Sequence, residues 1–528
     1  MKMNQSRAKR ASGRGKGRVK TKQDIAGPEL NVEAVTAGPF GRPPEPGKGD
    51  LQVIVLGPTG GPREDRVTGL LVRSTSTSWR PDTVIAVDAG TLLSGIIHIL
   101  ETHNDMDEMI VQTGPFTEMP LPFQTAPANA AHILREVIGP ILVTHPHLDH
   151  FSGFAMNSPI LEATNGPKTV AALPSVISAI KTHIFNEVIW PNLSDEDGGA
   201  GLITYQRLQE GGNLRMGRDE MRGYTRACEG LYYRCFGVSH GCTRRHYAPE
   251  AEMRRSLSNA MYLGDPFMMR SASRAAISLT QEEPGYMSPA MPRPSNPRDT
   301  WMSVESSAFF IREQHSGREI IIFGDVEPDS ISIEPRNKRV WEAAAPRIAS
   351  GKLRAIFIEC SYTDDVEDES LYGHLCPRHL IAELKVLASE VIKAKYPSSS
   401  GIGKRKRPSG ETPADSQPTS PKTRRSQDVL PGSSTTAITS APQVVAGSST
   451  GPSGTGATGA TGTLDEESNW PHEAPLIHLK VYLIHIKEDM DGGPCPSDTI
   501  VTQLRDQAQA ANLGCEFHAP KRGESVQI

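Results

Sequence analysis

Apolar residues gather along this chain in short runs of strand length, and most runs end in a polar side chain. The first is Leu51–Leu56 (LQVIVL), followed by Gly69–Arg73, Thr83–Val87, Ile141-Leu142-Val143, Lys168–Leu173 and Arg234–His240. The pattern returns in Ser307–Arg312, Glu319–Phe323, Ala355–Ile358 and Ile477–Ile486. Uninterrupted apolar runs of this length mark strands covered on both faces. Helical spacing appears in Ser175–Phe185, Ser497–Ala511 and Pro377–Lys395, where Leu380, Leu384, Leu387 and Val391 recur on one face. Buried strands with interspersed amphipathic helices predict an α/β domain.

Two segments break the pattern. Met1–Lys22 carries nine Lys/Arg and no acid, and Pro/Gly-rich sequence continues to residue 49. From Pro397 to Asn469 there is no aromatic residue, and Ser, Thr, Gly, Pro and Ala dominate. Neither can bury enough apolar surface to offset its ordering entropy. Both are expected to be disordered: residues 1–49 as a basic tail, and residues 397–469 as an insertion within one folded domain spanning 50–528. The stretch Arg244–Asn296, rich in Arg, Ser, Met and Pro, is expected to be loop with some helix.

Composition changes this picture little. Hydrophobic residues make up 37% and aromatics 5% of the 528, a deficit that the two polar segments explain. A net charge of −5 gives no reason to expect a nucleic-acid partner. The seven cysteines are odd in number, and Cys235 and Cys242 match no zinc-finger spacing, so reduced thiols are expected. No apolar run approaches the ~18 residues of a membrane span, and the first residues lack the apolar core of a secretory signal. A cytoplasmic location is expected. The basic runs Lys404–Pro408 and Lys422–Arg425 are compatible with nuclear import as well. The turn Gly57–Pro62 lacks the Gly-Lys-Ser/Thr of a phosphate loop.

The candidate chemistry concentrates in Ile141–Pro159 (ILVTHPHLDHFSGFAMNSP). A buried strand delivers His145, His147, Asp149 and His150 onto the following loop, with Pro146 stiffening the turn and Gly153 allowing a tight closure. Neutral imidazole and carboxylate suit zinc and its first-row neighbours. The spacing lets one loop serve two ions, His145 and His147 facing one, Asp149 and His150 the other. Further polar residues close apolar runs: His240, Asp325 and His485, with Asp88 placed to orient a ligand histidine. Strand ends are where sites assemble in α/β sheets.

HPHLDHFSG resembles the HxHxDHxxG signature of the metallo-β-lactamase superfamily, and HLDHFSGFAMNSP resembles its class II cyclic-nucleotide phosphodiesterases. Matching strings run in family order: GGP (60–62), VDAGT (87–91), WPNL (190–193), VSHG (238–241), FGD (323–325), IECSY (358–362), LYGHL (371–375) and LIHIKED (483–489). Phe154 departs mildly from the signature's Leu. The resemblance implies a four-layer αβ/βα sandwich and two divalent ions, zinc first, with manganese or iron compatible. One ion would take His145, His147 and His240, the other Asp149, His150 and His485, and Asp325 would bridge them. It implies hydrolysis of 3′,5′-cyclic AMP, and by extension cyclic GMP, by a hydroxide activated between the two ions, tuning cyclic-nucleotide signalling. His374 is the candidate for contacting phosphate or protonating the departing 3′-oxygen, and Glu359 for supporting the ligand histidines. Other hydrolases of the superfamily, an RNA 3′-end endonuclease, a thioesterase or a lactamase, share the HxHxDH motif. A metal-free scaffold is disfavoured because all seven ligand positions are filled. A homodimer fits such a fold, and Ser12 and Ser258 follow basic residues as basophilic-kinase sites do.

Overall fold

The computed structural model describes residues 50–103, 109–164, 166–215, 217–246, 299–397, 474–493 and 495–528. The basic tail, the insertion with its two basic runs, Ser12 and Ser258 lie outside the described residues.

Fourteen described strands form two seven-stranded mixed sheets. The first comprises β1 (Leu51–Gly57), β2 (Gly69–Ser74), β3 (Val84–Val87), β4 (Ile138–Leu142), β5 (Lys168–Ala172), β6 (Ile203–Arg207) and the C-terminal β14 (Ser525–Gln527). Their spatial order is β14-β1-β2-β3-β4-β5-β6, antiparallel as far as β3 and parallel beyond. The second sheet contains β7 (Thr225–Cys228), β8 (Leu231–His246), β9 (Asp299–Glu313), β10 (Glu319–Phe323), β11 (Leu353–Glu359), β12 (Lys480–Ile484) and β13 (Glu516–His518). Its order is β13-β12-β11-β10-β9-β8-β7, parallel from β13 to β10 and antiparallel afterwards. The described α-helices are α1 (Leu93–His103), α2 (Ala126–His132), α3 (Leu148–Asn157), α4 (Pro174–His183), α5 (Asn337–Ala349), α6 (Pro377–Lys395) and α7 (Pro496–Ala510).

The side-chain period of two in a strand explains why the central runs are apolar throughout. In β10, Ile320 and Ile322 join the core shared with the first sheet, while Ile321 and Phe323 join a second core beneath α5, α6 and α7. Leu380, Leu384, Leu387 and Val391 of α6 are fully buried in that second core. Each such side chain contributes roughly 1.5–3 kcal/mol on burial. This is the αβ/βα sandwich of the metallo-β-lactamase fold. Among the described residues, no helix is long and apolar enough to cross a membrane.

Four expectations need correcting. Asp149 and His150 stand in the first turn of α3 and not on a loop, so helical geometry sets their directions. Gly153 is mid-helix: a Cβ there would lie 2.4 Å from Gly90 O, so the glycine permits close packing of α3 on the Asp88 loop and closes no turn. The last long strand is shorter than its apolar run, and His485 lies just beyond it at φ +58°. Arg244–His246 continue β8, pairing with β9 as far as Asp299, so these two strands are longer than expected.

Candidate metal centre

The chain ends of β3, β4, β10, β11 and β12 meet at one edge of the sandwich. From β3 comes Asp88, from β4 Thr144 and His145, from β10 Asp325, from β11 Glu359 and Ser361, and from β12 His485. His240 projects from β8 where the register to β9 shifts between Ser239 and Cys242.

The seven residues proposed as ligands converge in two groups sharing one carboxylate: His145, His147, His240 and Asp325, and Asp149, His150, His485 and Asp325. Asp325 is the hub. Its Oδ2 lies 3.3 Å from His485 Nε2, 3.5 Å from His145 Nε2 and 3.6 Å from His240 Nε2, and its Oδ1 lies 3.2 Å from His150 Nε2. His485 Nε2 is also 3.1 Å from Asp149 Oδ2.

The outer ring nitrogens explain which way these imidazoles face. His150 Nδ1 donates to Asp88 Oδ2 at 2.8 Å. The Thr144 hydroxyl donates to the same oxygen at 2.8 Å, leaving its own oxygen to accept from His145 Nδ1 at 3.1 Å. The Ser361 hydroxyl donates to Glu359 Oε2 at 2.7 Å and likewise accepts from His485 Nδ1 at 3.1 Å. His240 Nδ1 donates to Gly373 O at 2.9 Å. Each bond places the proton on Nδ1 and turns the Nε2 lone pair inward. Lone pairs then face carboxylate oxygens with no proton between them. Accordingly, His145 Nε2, His150 Nε2 and both Asp325 oxygens are buried without a hydrogen-bond partner among the described residues. Buried acceptors left facing one another are costly unless a cation sits among them. Imidazole and carboxylate donors in this arrangement fit divalent metal.

Electrostatics agree. Burial opposes ionisation of Asp325 and Asp149, yet the surrounding imidazoles outweigh it and hold both carboxyls below their usual range. Burial, then the neighbouring His240, pushes His147 down to about 4, and burial and His150 push His145 well down. His150 goes the other way: burial opposes its charge, but Asp325 and Asp88 outweigh burial and raise it.

Of the remaining expected residues, Asp88 lies against His150 and Thr144, and its Oδ1 accepts Thr144 N–H at 2.8 Å. Glu359 binds His374 Nδ1 through both oxygens, at 2.9 and 3.0 Å, and anchors Val326 N–H at 2.8 Å. His374 is buried, stacks on His485 at 5.0 Å between ring centroids, and its Nδ1 is 3.9 Å from Asp325 Oδ2. With Glu359 outweighing burial, its pKa is raised.

Sequence reasoning missed Thr144, Ser361 and Lys487. Lys487 Nζ donates to Gly60 O at 2.6 Å and approaches Asp149 Oδ2 at 3.8 Å. All three lie inside or beside the quoted strings, but a hydroxyl or a lysine carries no ligand signal. Gly60 matters by what it lacks: a Cβ there would lie 2.5 Å from the His485 ring.

Comparison with known proteins places the chain among relatives. The family described as cAMP phosphodiesterases class-II matches residues 53–211 and 266–400. A 3′,5′-cyclic-nucleotide phosphodiesterase of Schizosaccharomyces pombe is 30% identical over 339 residues, covering 64% of this chain and 75% of that protein. One from Candida albicans is 25% identical over 374 residues, 64% of this chain and 82% of the relative. The crystal structure of unliganded yeast PDE1 superposes with a TM-score of 0.54 at 19% identity, covering 91% of this chain and all of that one, a likeness of fold.

Proposed function

We propose, on the premise that this chain belongs to the class II cAMP phosphodiesterases, that it hydrolyses 3′,5′-cyclic AMP, and cyclic GMP with it, to the 5′-nucleoside monophosphate at the Asp325 hub, tuning cyclic-nucleotide signalling. The chain is an enzyme, a phosphoric diester hydrolase. The observation that carries the site is the pair of buried Nε2 atoms, of His145 and His150, that face the buried Asp325 carboxylate with no hydrogen-bond partner among the described residues.

In this reading His145, His147 and His240 hold one divalent ion, Asp149, His150 and His485 the second, and Asp325 both. Zinc is the first choice, with manganese and iron compatible. When bound, the ions neutralise developing charge on the phosphoryl oxygens and lower the pKa of water.

The chain's own groups do the rest. Asp149, the ligand carboxylate with most exposure, lies beside Lys487 and accepts the proton of the attacking water. Lys487 adds positive charge for an anionic phosphate. His374 has Nδ1 fixed by Glu359, and its Nε2 forms no hydrogen bond among the described residues. That atom donates to the 3′-oxygen as its bond to phosphorus breaks. Without such a donor the leaving group departs as a poor sugar alkoxide.

The test is turnover of cyclic AMP and cyclic GMP by the purified full chain, with metal analysis of the same sample. Hydrolysis to the 5′-monophosphate is expected. A fully metallated protein that hydrolyses neither cyclic nucleotide overturns the reading.

A further inference from the structure

We infer that Tyr372 is the platform on which the purine of the substrate stacks, an inference that rests on the cyclic-nucleotide reading above. The phosphate of such a substrate must lie at the Asp325 hub, and the ribose then carries the base outward to the rim. The hub wall is made of carboxylates and imidazoles, with the Tyr362 ring turned edge-on to His374, whereas a purine presents a flat π-face that needs an open aromatic or apolar partner.

Tyr372 stands where that partner is needed. It directly precedes Gly373, whose carbonyl fixes His240, and His374, which is held by Glu359. Its carbonyl oxygen lies 3.7 Å, and the Cα of Gly373 3.3 Å, from the point where a side chain on Gly241 would begin. Tyr372 therefore rides on the residue next to His240. Tyr372 is 75% exposed, and among the described residues it makes no aromatic, cation–π or side-chain hydrogen-bond contact. Tyr362, by contrast, is half-buried and packs edge-on against His374 at 6.0 Å, so it belongs to the wall.

The backbone adds a second observation. Tyr372 has φ +52°, a conformation rarely adopted by bulky residues. Two other non-glycine residues at the centre share it, Asp88 at +55° and His485 at +58°, and both use it to aim a side chain at the hub or its supports. Strain of this kind is sustained where the surroundings over-determine the conformation, typically at functional sites. At Tyr372 core packing does not repay it, because the residue is largely exposed. An exposed aromatic side chain, one residue from the carbonyl that fixes His240 and two from His374, is placed for a base. Stacking reads a π-face and not its edge, so adenine and guanine should profit alike.

The test compares cyclic AMP, cyclic GMP and ribose 3′,5′-cyclic phosphate, which has the reacting atoms and no base. Tyr372→Ala is expected to raise KM for both cyclic nucleotides about ten- to a hundredfold, with kcat changing far less. KM for the baseless sugar phosphate should move less than about twofold, because the lost interaction is with the base. Tyr372→Phe should restore the wild-type KM. Tyr372→Gly relieves the backbone and should reproduce the alanine result, which separates stacking from misfolding. An unchanged cyclic-nucleotide KM in Tyr372→Ala, or an equal rise for the baseless substrate, overturns the stacking role while the phosphodiesterase reading stands. Wild-type protein that turns over none of the three substrates overturns that reading and this inference with it.

Discussion

The two sheets support the centre with the same device, used to different ends. On the first sheet a buried carboxylate, Asp88, holds one histidine directly (His150) and another through a hydroxyl (Thr144 to His145). On the second, Glu359 holds His374 directly and His485 through Ser361. Both histidines of the Asp88 arm turn Nε2 to Asp325. The Glu359 arm sends only His485 there and keeps His374 with a free Nε2. In the proposed reading the Asp88 arm holds metal. In the same reading the Glu359 arm holds one ligand and positions one proton donor. The difference is between anchoring and chemistry, although the parts are the same.

Breaking the hub should have the largest effect because both arms end on it. Asp325→Ala is expected to lose metal and to lower kcat by roughly a thousandfold or more, since metal supplies several kcal/mol of transition-state stabilisation. Metal content and turnover on one sample check this. Next comes Gly60→Ala, which drives a methyl group against the ring of His485, pinned by Ser361. A displacement near one ångström costs about a hundredfold, and turnover should fall by that order while the folding midpoint changes little.

The carboxylates separate the arms. Asp88→Asn should weaken metal affinity roughly ten- to a hundredfold, the usual cost of losing an outer partner of ligand histidines. Glu359→Gln should retain more metal and lose more kcat per ion bound, because its main dependant is His374. Competitive chelator titration beside turnover distinguishes the two. If both substitutions strip metal equally and leave kcat per bound ion alike, the arms have one role and not two. The smallest effects belong to the hydroxyls. Thr144→Val and Ser361→Ala each remove two hydrogen bonds, of which the one to the ligand histidine, worth about 1 kcal/mol, bears on metal, so chelator resistance should fall about fivefold.

The same contrast governs what the sequence makes legible. All seven candidate ligands close an apolar run or sit in the HPHLDH string, and the family resemblance joined them into one site. The supports were harder. Asp88 and Glu359 are charged and end strands, so they carried a signal. Thr144 and Ser361 did not, since a hydroxyl acquires its role only when folding brings it between a carboxylate and a ring. Helices α1, α2, α3 and α5 and the short strands β6, β7, β13 and β14 were also missed. In α3 the ligand residues interrupt the apolar stripe, and β13 and β14 have three residues each, too few to show a period. The close of the final long run misled for a physical reason: Ile486 is as buried as a strand residue, but the chain turns at His485 to aim its ring.

The central claim is that the inward Nε2 atoms face Asp325 across bound metal. Metal analysis of the purified chain, with cyclic AMP turnover followed during stepwise chelation and readdition, tests it most directly. The account predicts about two divalent ions per chain, activity that falls as they are removed, and recovery on their return. Full turnover by a chain stripped of metal would contradict it.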